Sequence, residues 1–187
     1  MKPIELLGEV EKNNWLNRPS LQATKSRIMA SIEEAPKGSV FYYDLSPIES
    51  INGSGTDELI AKVIKWLKEN SKDHDKYLFL DNLSPEDEYD HAYNIHISLE
   101  DAKVAVIAKE NSSFAILGYL GKALKDVLGF VYEAKETNAR EISESMDKKL
   151  NLASTQLSDL YNMRLVSREE VQLSEGGGRQ YVYRSLF

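Results

Sequence analysis

The sequence predicts an α/β protein: a mainly parallel sheet with covering helices over residues 1–136, then a small helix–helix–hairpin module over residues 137–187. Two observations carry this. Through the first part, short apolar runs alternate with segments whose apolar residues recur every three or four positions, the pattern of strands joined by crossover helices. Over the last fifty residues the order changes to two helical segments followed by two β-leaning runs, parted by the triple glycine Gly176-Gly177-Gly178. A chain of 187 residues has room for one medium domain and a small one.

Taken in order, Ile4 to Val10 reads as an added edge strand. Leu21 to Ala35, with Ser20 as its cap, places Ile28, Ile32 and Ala35 on one helical face. Val40 to Leu45 is a short apolar strand. Leu59, Val63, Ile64 and Leu67 space out as a second helix ending near Asn70, and Tyr77 to Leu80 is the next strand. Lys103 to Ala108 reads as a third strand. Phe114 to Leu128 reads as a helix with Gly118 and Gly121 on its flank, and Phe130 to Ala134 as a last strand, leaving Lys135 to Asn138 as a linker.

In the C-terminal module, Ala139 to Met146 is a short helix. Leu150, Ala153, Leu157 and Leu160 then form one buried face of a second helix, with Asn151 able to cap it. The 3.6-residue period turns Asn151, Ser154, Thr155, Ser158 and Asn162 to the opposite side. Leu152 lies near that side as an apolar exception, placed either to touch a thymine methyl or to pack on a neighbouring helix, the second being the preferred reading. Ser167 to Ser174 and Arg179 to Leu186 make a hairpin across the glycines. Helix, helix, hairpin is the winged helix-turn-helix order.

The residues LSDLYNMRLVSREE followed by GGGRQYVYR resemble the end of bacterial and archaeal winged-helix transcription regulators. The resemblance implies double-stranded DNA as partner. Asn151, Ser154, Thr155 and Ser158 would form the reading face of the recognition helix, Arg168 would hold the DNA backbone, and Arg179 beside the glycine loop would reach a phosphate or the minor groove. One difference is Arg164, in the turn where such regulators usually carry glycine; arginine is less comfortable there at positive φ. The competing reading of these residues is a solvated helix face on a module that binds protein.

A second resemblance lies in FYYDLSPIESINGSGTDELIAKVIKWL, which is similar to the STAS fold of anti-sigma factor antagonists and sulphate transporters, and more closely to STAS-like domains of unknown function in which a helix precedes that strand. It implies a sensing or protein-interaction role for residues 1–136 and a regulatory protein partner. In true antagonists a serine just before the glycine is phosphorylated, and Ser54 occupies that position, although Asn52 stands where an acidic residue is usual. The residues themselves offer Ser54 a structural task, because Ser54 and Asp57 match a capping box. Phosphate there would also meet Asp57 and Glu58. The same carboxylates argue against Gly53-Ser54-Gly55 as a nucleotide cradle, whose third fingerprint position is Glu58 rather than glycine.

Charge limits the DNA reading. Between Asn138 and Phe187 seven Lys or Arg balance seven Asp or Glu, so the net charge of −7 belongs to the preceding residues. Because phosphate attraction supplies most non-specific affinity, a neutral module on an acidic body is expected to bind DNA weakly as a monomer, and a homodimer would help. The absence of cysteine excludes disulfides and thiolate metal sites. His74, His91 and His96 show no ligand spacing, with the last two read as loop or strand, so no metal or other cofactor is expected. Asp44, Asp57 and Asp81 fall at strand ends or helix starts, where carboxylates commonly cap. No serine, histidine and acid arrangement has motif context, so the chain is not expected to be an enzyme.

The longest uncharged run, Asn111 to Gly121, is too short for a membrane span. Glu5, Glu9 and Glu11 interrupt any apolar leader, and a cytoplasmic location is expected. Ser84 to His91 reads as an acidic loop. The leading expectation is a dimeric transcription regulator, against two rivals: a protein-interaction switch of the anti-sigma antagonist type, and a nucleotide-binding domain using the Gly53 to Gly55 turn.

Overall fold

A computed structural model describes residues 2–8, 14–70, 75–83, 90–111, 113–172 and 178–187. They fall into two compact units, Met1–Leu120 and Gly121–Phe187. Among the described residues no helix is long and apolar enough to cross a membrane. Val10, His74, Ser84 to Tyr89, Gly176 and Gly177, which figure in the sequence reading, lie outside the described residues.

In the first unit, β1 (Ile4–Glu5), β3 (Val40–Asp44), β5 (Tyr77–Asp81) and β6 (Ala105–Glu110) run parallel in that spatial order, and β7 (Ser113–Gly118) closes the sheet antiparallel to β6. The mixed α/β class with a mainly parallel sheet is therefore as the alternation of apolar runs predicts. Its helices are α1 (Arg18–Glu34), α2 (Gly53–Thr56), which continues through a π turn at Asp57–Ala61 into α3 (Lys62–Glu69), and α4 (His91–Asp101). A two-residue parallel pair, β2 (Asn14–Trp15) with β4 (Ser50–Ile51), leads into α1 and α2.

Strand alternation decides which side chains meet the helices. Phe41 and Tyr43, Leu78 and Leu80, Val106 and Ala108 share one core with Leu21, Ile28 and Ile32 of α1, Val63, Ile64 and Leu67 of α3, and Ile95 and Leu99 of α4. Each large apolar side chain buried there contributes about 2 kcal/mol. α1 starts earlier than the sequence suggests: Asn17 is the N-cap and Pro19 sits in the first turn, so Ser20 is not the cap but lies inside the helix, its hydroxyl donating to the Asn17 carbonyl at 2.8 Å.

The segment from Phe114 to Ala134 departs from the expected helix-then-strand order. Phe114 to Gly118 pairs with β6, and the helix, α5 (Lys122–Ala134), takes in the whole of the expected strand Phe130 to Ala134. Asn111, at φ 46°, lies in the tight connection from β6 to β7. Gly118 ends β7 at φ 93°, where a Cβ would lie 2.3 Å from the Val104 carbonyl oxygen, so this glycine serves a strand terminus and not a helix flank. A helical period resumes with Val127, Leu128, Val131 and Tyr132, all buried.

The second unit thus begins with α5, which the sequence reading assigned to the first domain. Within the expected linker lies a strand, β8 (Glu136–Asn138), followed by α6 (Ala139–Ser145), α7 (Leu150–Asn162), β9 (Ser167–Gln172) and β10 (Arg179–Arg184). The three strands form an antiparallel sheet in the order β8-β10-β9. Ile142, Ala153, Leu157, Leu160, Val166 and Val182 are buried, and the Tyr132 hydroxyl donates to the Leu165 carbonyl at 3.0 Å, tying α5 to the turn before β9.

Candidate nucleic-acid interface

α7 is amphipathic in the predicted sense at most positions. Ala153, Leu157 and Leu160 are fully buried, Asn151, Ser154 and Thr155 are exposed, and Ser158 is half-buried. Three details differ. Leu150, expected in the buried face, is 52% exposed, because the helix begins at this residue and its first turn overhangs the core. Lys149 holds the N-cap position, so Asn151 lies inside the helix, its carboxamide oxygen accepting from the Leu152 amide at 2.9 Å. Leu152 itself is 48% exposed and does not bury its side chain on a neighbouring helix. The Thr155 hydroxyl donates back to the Asn151 carbonyl at 2.9 Å, which leaves its oxygen as an acceptor.

Beside α7 a cleft of about 310 Å³ opens between the first turn of α6, the first two turns of α7 and β10. Its lining includes Asn138, Arg140, Leu150, Ser154, Arg179 and Tyr181. Asn138 creates one wall by capping α6, accepting from the amides of Arg140 at 3.0 Å and Glu141 at 3.1 Å. That cap fixes Arg140 on the first turn, exposed beside Ser154 of α7. The opposite wall is β10, where side chains two residues apart, Arg179 and Tyr181, point to one face of the strand.

The arginines of this unit differ in what holds them. Arg179 bonds Glu170 of the neighbouring strand at 2.9 Å, an exposed pair. Arg184 is clasped by Glu136 at 2.6 Å and by Glu169. Arg168 contacts two rings, its guanidinium carbon 3.8 Å from the Tyr161 centroid and 4.2 Å from that of Tyr181. Burial raises the Tyr183 phenol above its ordinary pKa, and a hydrogen bond to Arg168 opposes that rise. Arg164, at φ 65°, does occupy the left-handed turn after α7 and is buried.

Of the residues singled out by sequence, Ser154 and Arg179 meet in the cleft. Asn151, Thr155 and Ser158 lie outside its lining, and Arg168 packs behind Tyr181. Sequence reasoning did not find Arg140, Leu150 or Tyr181. A signal for the first was present: Asn138 followed by Glu141 is an N-cap with an acid at N3, which locates Arg140 in a helix start. For Tyr181 no local signal exists, because its neighbours come from α7 and β9.

Two further clefts belong to the first unit. One, of about 600 Å³, is lined by Arg18, Asn52, Ser54, Asp57, Lys65 and Ser98 among others. Here the capping box is corrected: Asn52 is the N-cap, accepting from the Gly55 amide at 3.0 Å, while Ser54 lies in the first turn and lines the cleft. Asparagine wins because its carboxamide oxygen reaches the third amide from a β-region backbone. Asp57 instead pairs with Arg18 at 3.1 Å and Lys62 at 3.4 Å. Gly55 is explained by contact rather than by nucleotide binding, since a Cβ there would fall 1.9 Å from the Trp15 carbonyl oxygen.

The other cleft, about 530 Å³, lies at the carboxyl ends of β5 and β6 and is lined by Ser46, Asp81, Asn82 and Lys109 among others. Asp44 and Asp81 are register partners across β3 and β5. Lys109 bonds Asp81 at 2.9 Å, and Asn82 bonds Asp44 at 3.0 Å. Burial would raise the Asp44 carboxyl, but hydrogen bonds from Asn82 and Ser46 outweigh it and hold the pKa below the ordinary value.

His91 and His96 lie on α4 rather than in a loop or strand, and His96 Nδ1 accepts from the Gly118 amide at 3.0 Å. Among the described residues no group of three or more His, Cys, Asp or Glu is placed to hold a metal ion. Comparison with protein-family models, with curated proteins and with solved structures returns no match to this chain.

Proposed function

We propose that the chain is a DNA-binding transcriptional regulator whose second unit is a winged helix-turn-helix and whose first unit is a STAS-like sensing or protein-interaction domain, acting in the cytoplasm as a homodimer and without catalysis. The observation that carries this reading is the cleft in which Arg140, Ser154 and Arg179 converge from α6, α7 and β10. The element order α5-β8-α6-α7-β9-β10 with sheet order β8-β10-β9 supports it, with α7 as the recognition helix and the β9–β10 hairpin as the wing. Asn151, Ser154, Thr155 and Ser158 would face bases. Arg140 and Arg179 supply cations for phosphate.

Electrostatics set the expected strength. Glu136, Glu169 and Glu170 offset the arginines of the hairpin, so binding is weak and salt-sensitive, and two units on a dimer add the needed phosphate contacts. The test is fluorescence anisotropy of a labelled random-sequence duplex between about 50 and about 200 mM salt. Arg140→Ala and Arg179→Ala are each expected to weaken binding and flatten the log–log salt slope by about 0.9. Unchanged slopes in both would remove the cleft from the interface.

A second reading, a protein-interaction switch of the anti-sigma antagonist type, is favoured by two observations. Leu150 and Leu152 leave about half of their surface exposed on α7. Ser54 lies in a cleft with the cations Arg18 and Lys65, which a phosphorylated serine would share with Asp57 and Asp101 of the same lining. Absence of wild-type binding to any duplex at low salt would favour this switch over the regulator. A protein from native cells that carries no phosphate, together with full function of Ser54→Ala, would end the Ser54 part.

A further inference from the structure

We infer that Arg168 is a positioning residue and not a phosphate contact: it clamps Tyr181 to Tyr161 and thereby sets the wall of the cleft that receives DNA. The inference rests on the DNA-binding reading and deepens it. Three observations converge. The Arg168 guanidinium carbon lies 3.8 Å from the Tyr161 centroid and 4.2 Å from the Tyr181 centroid, so one cation contacts both rings. Arg168 is also hydrogen-bonded to Tyr183, which engages one of its N–H donors within the unit. Tyr161 belongs to α7 and Tyr181 to β10, so the clamp joins the helix to the hairpin, and Tyr181 lines the cleft while remaining 46% exposed.

This arrangement separates charge from geometry. A phosphate contact neutralises an anion and releases counterions, so its removal flattens the salt slope by about 0.9. A clamp neutralises no phosphate. Its loss lets the Tyr181 ring move and weakens binding at every salt concentration alike. Lysine keeps the charge but lacks the planar fork that stacks between rings, so Arg168→Lys is not a conservative change here.

The experiment uses the full chain and a fluorescein-labelled random-sequence duplex, titrated across salt, with melting curves for each variant. Arg168→Lys and Arg168→Gln are both expected to weaken binding about five- to tenfold at the wild-type slope, the range that a partly desolvated cation–π pair supports. Tyr181→Leu, which leaves Arg168 in place, is expected to give the same loss, and adding Arg168→Lys to it no further loss. Wild-type affinity in Arg168→Lys combined with a flattened slope in Arg168→Gln would overturn the clamp and restore a phosphate contact. Should the Arg168 variants fail to fold, Tyr181→Leu decides alone: a fivefold or greater loss at unchanged slope supports the clamp, and unchanged affinity overturns it. Wild-type protein that binds no duplex at low salt would remove the DNA reading itself, a result distinct from any change in slope.

Discussion

Gly55→Ala should unfold the first unit more easily, although alanine is the better helix former. A Cβ at this position would lie 1.9 Å from the Trp15 carbonyl oxygen and 2.6 Å from the Trp15 carbonyl carbon and Cβ. Ordinary contact needs about 3.5 Å, so α2 would have to retreat by about 1.5 Å or more. The obstacle is backbone, and no rotamer change relieves it. Retreat would strain the bond from the Asn52 amide to Trp15 O at 3.2 Å and from the Asn52 carboxamide to Leu16 O at 3.0 Å, and would loosen a wholly buried Trp15. Overpacking costs about 1–3 kcal/mol and the two hydrogen bonds about 1 kcal/mol each. Helix propensity returns about 1 kcal/mol, leaving a net loss of about 2–4 kcal/mol and a melting point lower by on the order of 10 °C. Gly129→Ala is the matched control: its Cβ would meet nothing within 4 Å in α5, so it should stabilise by about 0.5–1 kcal/mol. Thermal and urea unfolding of the two variants decide the matter. A Gly55→Ala protein as stable as wild type would refute the close-approach argument.

Glu58 is buried with Lys25 and Lys62 on its two oxygens. Burial alone would raise its pKa, but the lysines outweigh it and hold the folded value low, so the unfolded chain takes up the proton first. Its contribution is therefore full above the unfolded value of about 4.3 and is lost as pH falls through the folded value. Glu58→Gln should cost about 2 kcal/mol at neutral pH and flatten the acid limb of stability; an acid limb identical to wild type would contradict this. Asn138→Ala removes the α6 cap, with an expected cost of about 1 kcal/mol and faster hydrogen exchange at the Arg140 and Glu141 amides; unchanged protection would count against the cap. Glu170→Gln frees Arg179 and removes a negative charge from the hairpin, so duplex affinity should rise and the salt slope steepen, whereas weaker binding would mean the ion pair holds Arg179 in its working position.

What was legible in the sequence was local. β3 and β5 stand out because Val40 to Leu45 and Tyr77 to Leu80 read as short apolar runs bounded by polar residues, and α7 because Ala153, Leu157 and Leu160 keep helical spacing. The stretch from Phe114 to Ala134 was not, since its first part, Phe114 to Gly121, is an uncharged run broken by two glycines that satisfies both periods. Pairing with β6 made its first part a strand, and that pairing turns on a left-handed Asn111 and a glycine whose missing Cβ matters only beside Val104. The cleft was half legible. Ser154 and Arg179 follow from helix phase and the glycine loop, whereas the stacking of Arg168 joins Tyr161 of α7 to Tyr181 of β10, elements that only the folded hairpin brings together. Caps were misplaced at Ser20, Ser54 and Asn151 because each has an asparagine or lysine nearby whose backbone sits at the true helix entry.

The π turn at Asp57–Ala61, where the Lys62 amide reaches back five residues to the Asp57 carbonyl, places one residue more in that turn than an α-helix would. An α-helix advances about 100° per residue, so removing a residue elsewhere between Gly53 and Glu69 would swing Val63, Ile64 and Leu67 away from the sheet or Gly55 away from Trp15. Removal inside the turn would instead regularise the helix and keep both faces in phase. Evolutionary change of length in this helix thus has one tolerant place, and relatives one residue shorter should carry their gap there.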